Sequence, residues 1–225
     1  MIPQIDSLAE ERVVLHGIVW ETFEQLLHEA GCDRNTRFYY FDGTLEIMAP
    51  LSRHEGSNRF IESLISAIAQ ELDLNLRKVG AMTLKRRDRS VGGEPDSVYY
   101  LTSEPLIRHK EDIDLSVDPP PDLILEIDIT SPSDRRFPIY ASLGIPELWK
   151  CDGRTLQYYV LQDRVLQDRV LQNRMLPAGH YQAVEQSPTF PWLPAAVIVK
   201  YLALRLEIGE TQAIRQFRQW VRQAK

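Results

Sequence analysis

The sequence predicts one α/β domain with a mixed sheet flanked by helices. Three observations carry that prediction. Residues 122–130 (Asp-Leu-Ile-Leu-Glu-Ile-Asp-Ile-Thr) form an apolar run long enough to be a buried central strand. Residues 57–72 place Phe60, Ile61, Leu64, Ile65, Ile68 and Leu72 on one helical stripe. No linker rich in glycine, proline or serine divides the 225 residues, so the elements belong to one unit, residues 1–225, with its core at about 10–200.

In chain order, Val13-Val14-Leu15 is a short strand candidate. Phe23, Leu26 and Leu27 give helical spacing over 22–30, ended by Gly31. Residues 37–41 and 44–48 flank Asp42-Gly43, the strongest local signal for a hairpin. After the helix at 57–72 come strand candidates at 75–84 and 97–101, separated by a polar, glycine-bearing loop. Ser131-Pro132-Ser133-Asp134 then opens a short helix through Ser142. Residues 148–150 and 156–160 read as strands around Asp152-Gly153. A five-residue repeat follows (Val160-Leu-Gln-Asp-Arg, Val165-Leu-Gln-Asp-Arg, Val170-Leu-Gln-Asn-Arg). A period of five matches neither helix nor strand, so the repeat at 160–175 reads as a lengthened hairpin arm or loop. Residues 211–225 form an amphipathic helix with Ile214, Phe217, Trp220 and Val221 inward and Arg215, Arg218 and Arg222 on a solvated face.

Composition narrows the function classes. A hydrophobic fraction of 44% is that of a globular chain. No apolar run approaches the roughly 20 residues of a membrane helix. The N-terminus lacks a basic segment followed by an apolar one, so no secretion signal is read, and a cytoplasmic location is expected. Cys32 and Cys151 read as two unpaired thiols. A net charge of −6 argues against a surface coated for non-specific nucleic-acid binding. It leaves room for a local basic patch beside a metal ion.

The chemistry concentrates in the apolar run. Glu126 and Asp128 lie two residues apart, so on a strand they project from one face. Burying two like charges is costly unless a cation, usually a metal ion, holds them. Asp96 begins a second strand candidate, and neighbouring strands can bring it to the same ion as Glu126. Metal-dependent phosphodiester hydrolysis needs such oxygen ligands. Glu55, at the entrance of the long helix, is a candidate third acidic group, although a glutamate there also suits the helix dipole. His54 reads as incidental and Asp122 as a strand-start residue.

Several words of the sequence resemble the Uma2 family of restriction-endonuclease-like proteins, abundant in cyanobacteria and part of the PD-(D/E)XK nuclease superfamily. They are residues 42–48 (Asp-Gly-Thr-Leu-Glu-Ile-Met), His54-Glu55, Glu94-Pro95-Asp96, residues 121–131 (Pro-Asp-Leu-Ile-Leu-Glu-Ile-Asp-Ile-Thr-Ser) and residues 137–149 (Phe-Pro-Ile-Tyr-Ala-Ser-Leu-Gly-Ile-Pro-Glu-Leu-Trp). The resemblance runs over about residues 10–222. It implies a restriction-endonuclease-like core, a mixed β-sheet flanked by α-helices, with Mg²⁺ (or Mn²⁺) held by Asp96 and Glu126 and with Glu55 as the helix-borne acid. It also implies a homodimer, since many such nucleases cut two strands.

Two departures stand out. The superfamily places a lysine two residues after the acid, where this chain has Asp128. Where Uma2 relatives often carry a lysine downstream, this chain has Arg136, next to Arg135. Arginine stays protonated, so it stabilises phosphate charge but cannot act as a base. Two functions are therefore open. One is a Mg²⁺-dependent DNA endonuclease in which Glu55, Asp96, Glu126 and Asp128 serve the metal site and Arg136 contacts the scissile phosphate. In that reading Lys85, Arg86, Arg87 and Arg135 guide the DNA backbone. The other is a catalytically silent binding or regulatory protein on the nuclease fold. Hydrolysis of another phosphoester is compatible with the same carboxylates.

Overall fold

Two sheets, not one, organise the chain. The computed structural model describes residues 11–31, 34–49, 52–128, 133–162, 170–171, 174–175 and 179–225. Cys32, Ser131, the side chain of His54 and most of the five-residue repeat lie outside the described residues.

The first sheet collects β1 (Glu11–His16), β2 (Arg37–Phe41), β3 (Thr44–Ala49), β5 (Leu84–Arg86) and β6 (Val91–Gly93), in the order β1-β3-β2-β6-β5 and antiparallel throughout. The second is mixed and six-stranded, in the order β13-β10-β9-β8-β7-β4. Its strands are β4 (Arg77–Gly80), β7 (Ser97–Tyr100), β8 (Leu123–Ile127), β9 (Glu147–Cys151), β10 (Leu156–Gln162) and β13 (His180–Val184). Only β8 and β9 run parallel within it. Their connection carries α4 (Phe137–Leu143), the kind of crossover a parallel pair requires. Between β10 and β13, the short β11 (Val170–Leu171) and β12 (Arg174–Met175) pair with each other.

The helices are α1 (Trp20–Ala30), α2 (Ser52–Glu71), the single turn α3 (Glu104–Ile107), α4, α5 (Ala195–Ile208) and α6 (Glu210–Ala224). One face of the large sheet presents Leu123, Leu125, Ile127, Trp149 and Tyr158 to the apolar stripes of α2, α5 and α6, including Phe60, Leu64, Ile198 and Phe217. Its other face presents Val98, Tyr100, Ile124 and Leu148 to α4 and to Tyr39, Met48 and Val91 of the small sheet. The small sheet's far face packs Phe38, Tyr40 and Leu45 against Trp20 and Phe23 of α1. Each fully buried large apolar side chain contributes about 1.5–3 kcal/mol.

Two local details let these layers close. Asp42 and Gly43 both take positive φ, 48° and 73°, as a two-residue hairpin turn of this kind requires. Gly93 on β6 lies so near α4 that a Cβ would stand 3.0 Å from Ile139 Cγ2 and 3.3 Å from Tyr39 Cδ1. A side chain there would push the small sheet away from α4.

Candidate active site

Strand periodicity aims a set of charged side chains into the space between the sheets. On β2, Phe38 and Tyr40 turn toward α1, so Arg37 and Tyr39 turn toward the large sheet. On β3, Leu45 takes the α1 side, and Glu46 and Met48 take the inter-sheet side. On β8, Leu123, Leu125 and Ile127 enter the helical core, which leaves Ile124 and Glu126 on the inter-sheet side. The β7–β8 register pairs Ser97 with Leu125, so one step further Asp96 faces Glu126.

Both acids are buried, Glu126 completely and Asp96 to 6% exposure. Each is met by a guanidinium. Arg37 Nη1 lies 2.5 Å from Asp96 Oδ1, and the Ile127 backbone N–H donates to Asp96 Oδ2 at 2.6 Å. Arg136 Nη1 lies 3.3 Å from Glu126 Oε2, while the Tyr140 hydroxyl donates to Glu126 Oε1. Arg136 also reaches Glu46 Oε1 at 3.1 Å and stacks 4.0 Å over the Tyr39 ring. The turn carrying Asp96 is fastened to β2: Phe38 N–H donates to Glu94 Oε2 at 3.0 Å, and Tyr39 Oη donates to the Glu94 carbonyl at 2.8 Å. Arg34 and Thr83 hold the other oxygen of Glu94. From α2, Asn58 donates to the Asp96 carbonyl at 3.1 Å and accepts from Ser97 Oγ at 2.9 Å.

Burial, and then the neighbouring charge of Asp96, push the Glu126 carboxyl up from 4.5 to about 8; Arg136, the Tyr140 hydrogen bond and Arg37 only partly oppose them. For Arg37, burial works against the charge, yet the Asp96 carboxylate beside it prevails and holds the guanidinium protonated. Tyr39 and Tyr140 are raised by burial and stay neutral hydroxyls. Asp128 follows β8, where its nearly buried carboxylate pairs with Lys150 Nζ at 3.2 Å.

The model of the family Uma2, described as "Putative restriction endonuclease", matches residues 20–196. The chain belongs to the Uma2 family. No match was found among curated proteins. The restriction-endonuclease-like α/β fold expected from the sequence is the fold described above, with one difference: all strands but the β11–β12 pair divide between two sheets. Membership points to nuclease chemistry on nucleic acid, and nucleases of this type generally use divalent metal ions. No helix among the described residues is long and apolar enough to cross a membrane.

The Uma2 chain brings some of the sequence candidates together and leaves others apart. Asp96, Glu126 and Arg136 meet between the sheets, and Asp128 pairs with Lys150 just past β8. Glu55 sits in the first turn of α2, about half exposed, and pairs with Arg59 one turn on at 2.6 Å. Among the described residues no three acids, histidines or cysteines come close enough to hold a metal ion together, so Glu55 does not complete a triad with Asp96 and Glu126. The basic run is matched by nearby carboxylates: Lys85 and Arg87 pair with Glu24, at 3.1 Å for Lys85, and Arg86 pairs with Asp88 at 2.6 Å. Arg135 is exposed beside the buried Arg136. Sequence reasoning missed Arg37, Tyr39, Glu46 and Tyr140. The alternation along the hairpin, once anchored by Phe38 and Tyr40, was the available signal for the first three.

The donor set suits a hard cation. Two carboxylates face one another, and a carboxylate oxygen accepts more than one partner, so the arginine and backbone contacts leave acceptor capacity on each. Two like charges raise each other's cost, which is the situation a divalent ion relieves. The guanidinium groups of Arg37 and Arg136 partly meet that need.

Proposed function

We propose that this Uma2 protein is a Mg²⁺-dependent DNA endonuclease that hydrolyses phosphodiester bonds, with Asp96 and Glu126 as its metal-holding pair. Mn²⁺ is the natural substitute ion. The observation that supports the reading best is the placement of two buried carboxylates opposite each other in register on the same face of the large sheet. A bound divalent ion would supply Lewis acidity and lower the pKa of water near the phosphate. The protein's own residues do the rest. Arg37 and the Ile127 N–H fix both oxygens of Asp96, and Tyr140 and Arg136 fix those of Glu126, so neither acid can rotate away. Arg136, stacked on Tyr39, keeps positive charge at the site whatever the pH. Action on DNA as a homodimer belongs to this reading on the strength of the family resemblance, and a cytoplasmic location on the N-terminal sequence.

A second reading, a catalytically silent nuclease-fold binding protein, is favoured by one observation. Arg37 and Arg136 already neutralise both acids, and Glu126 is wholly buried beneath them.

Incubation of plasmid DNA with purified protein and Mg²⁺ separates the two. The nuclease reading expects nicking that falls about a hundredfold or more in both Asp96→Asn and Glu126→Gln. Full activity in both variants removes it, and DNA binding without cleavage or metal uptake supports the silent reading.

A further inference from the structure

The sequence gives the scissile-phosphate contact to Arg136, but the structure spends that side chain elsewhere. Arg136 is only 8% exposed and is held by Glu126, Glu46 and the Tyr39 ring. Arg37, at 11%, is held by Asp96. Neither reaches outward to meet an anion. An anionic backbone approaching two carboxylates is repelled unless a cation stands at the mouth of the site.

Lys150 lies level with Glu126 on the adjacent strand, paired with it in the parallel β8–β9 register. Trp149 and Cys151 on either side enter the helical core, and Leu148 enters the inter-sheet core, so Lys150 shares the face of Glu126. The Asp128 N–H donates to the Cys151 carbonyl at 2.7 Å, which carries the strand pairing one residue past β8. That step aligns the Asp128 carboxylate with Lys150 Nζ, 3.2 Å away. The Lys150 side chain is 20% exposed, and its Nζ lies 6.0 Å from the ring centre of Phe137, at the start of α4. A lysine ammonium is a compact charge on a flexible stem and binds phosphate as a point charge.

We propose that Lys150 is the phosphate-contacting cation of this site. The lysine missing two positions after Glu126 is thereby supplied from the neighbouring strand, level with Glu126 itself. The identity of the ligand, a DNA phosphodiester, rests on the nuclease reading; the contact does not require cleavage.

The test is binding of a fluorescently labelled DNA duplex in EDTA across a salt series, with Mg²⁺-dependent plasmid cleavage measured in parallel. In Lys150→Met, which keeps the aliphatic stem, the slope of log Kd against log salt falls by about 1, the share of one phosphate contact. Lys150→Arg restores the slope. Asp128→Asn keeps it, because the ammonium remains. Thermal unfolding at the wild-type temperature confirms that each variant is folded. An unchanged slope in Lys150→Met overturns the proposal. So does an equal drop in Asp128→Asn, which would make the ion pair a support for the strand end only, and so does a wild type that does not bind DNA. Wild-type binding without cleavage removes the nuclease reading, while a Lys150-dependent slope still supports the contact.

Discussion

The two faces of strand β8 differ sharply in what they meet. The side chains of Leu123, Leu125 and Ile127 pack in the apolar core with α2, α5 and α6. One residue out of step, Glu126 meets Arg136, Tyr140 and the charge of Asp96. The helical face stabilises by area and packing, so its cost of disruption is insensitive to pH. The inter-sheet face stabilises by mutual compensation of charge, so removing one partner harms the others. A strand buried on both sides can thus be a structural wall on one face and a reaction surface on the other.

The largest break in this comparison comes from the apolar face. Trp149→Ala, which removes a fully buried ring packed on Tyr158, is expected to cost about 3–5 kcal/mol in urea unfolding, equally at pH 5 and pH 9. Arg136→Met tests the charged face. Removing this cation strands Glu126, and a loss of about 3 kcal/mol is expected at pH 9. The loss shrinks at pH 5, where Glu126 carries its proton. A pH-independent loss would show that Arg136 acts by packing alone.

The wild type carries its own pH signature. The folded-state pKa of Glu126 is raised from 4.5 to about 8, so its contribution to stability is full below pH 4.5. Between pH 4.5 and 8 the unfolded chain releases this proton while the folded chain retains it, and stability declines as pH rises. Metal-free Glu126→Gln is expected to lack that component of the decline, measured as urea midpoints at pH 5 and 8.5. The smallest effect joins the two faces. Asn58→Ala removes hydrogen bonds to Asp96 and Ser97 and is expected to cost about 1–3 kcal/mol, without the pH dependence of the Arg136 variant.

Much of this contrast was legible in the residues. The Leu-Ile run around Glu126, the Asp42-Gly43 turn and the stripe of α2 each follow from a period or a turn residue, and each is where the sequence placed it. Strand β6 was not legible because Val91-Gly92-Gly93 has little strand character; its glycines answer to the approach of Phe23 and Ile139, which only the tertiary fold supplies. Helix α5 was missed because apolar residues occupy several of its sides, from Val197 and Ile198 to Leu202 and Leu204, and blur the helical stripe. Among the site residues, the two acids announced themselves by sitting in or beside an apolar strand. Arg37 and Lys150 did not. Each looks like an ordinary charged residue of its strand, and its meaning comes from a register set by residues about 25 to 60 positions away.

The most direct test of the buried acidic pair is calorimetric titration of Mg²⁺ into the wild type and Glu126→Gln at pH 8.5, where the carboxyl of the wild type is mostly ionised. Saturable binding by the wild type, lost in the variant, is expected. Identical titrations, whether both bind or neither does, would contradict a metal-holding role for Glu126.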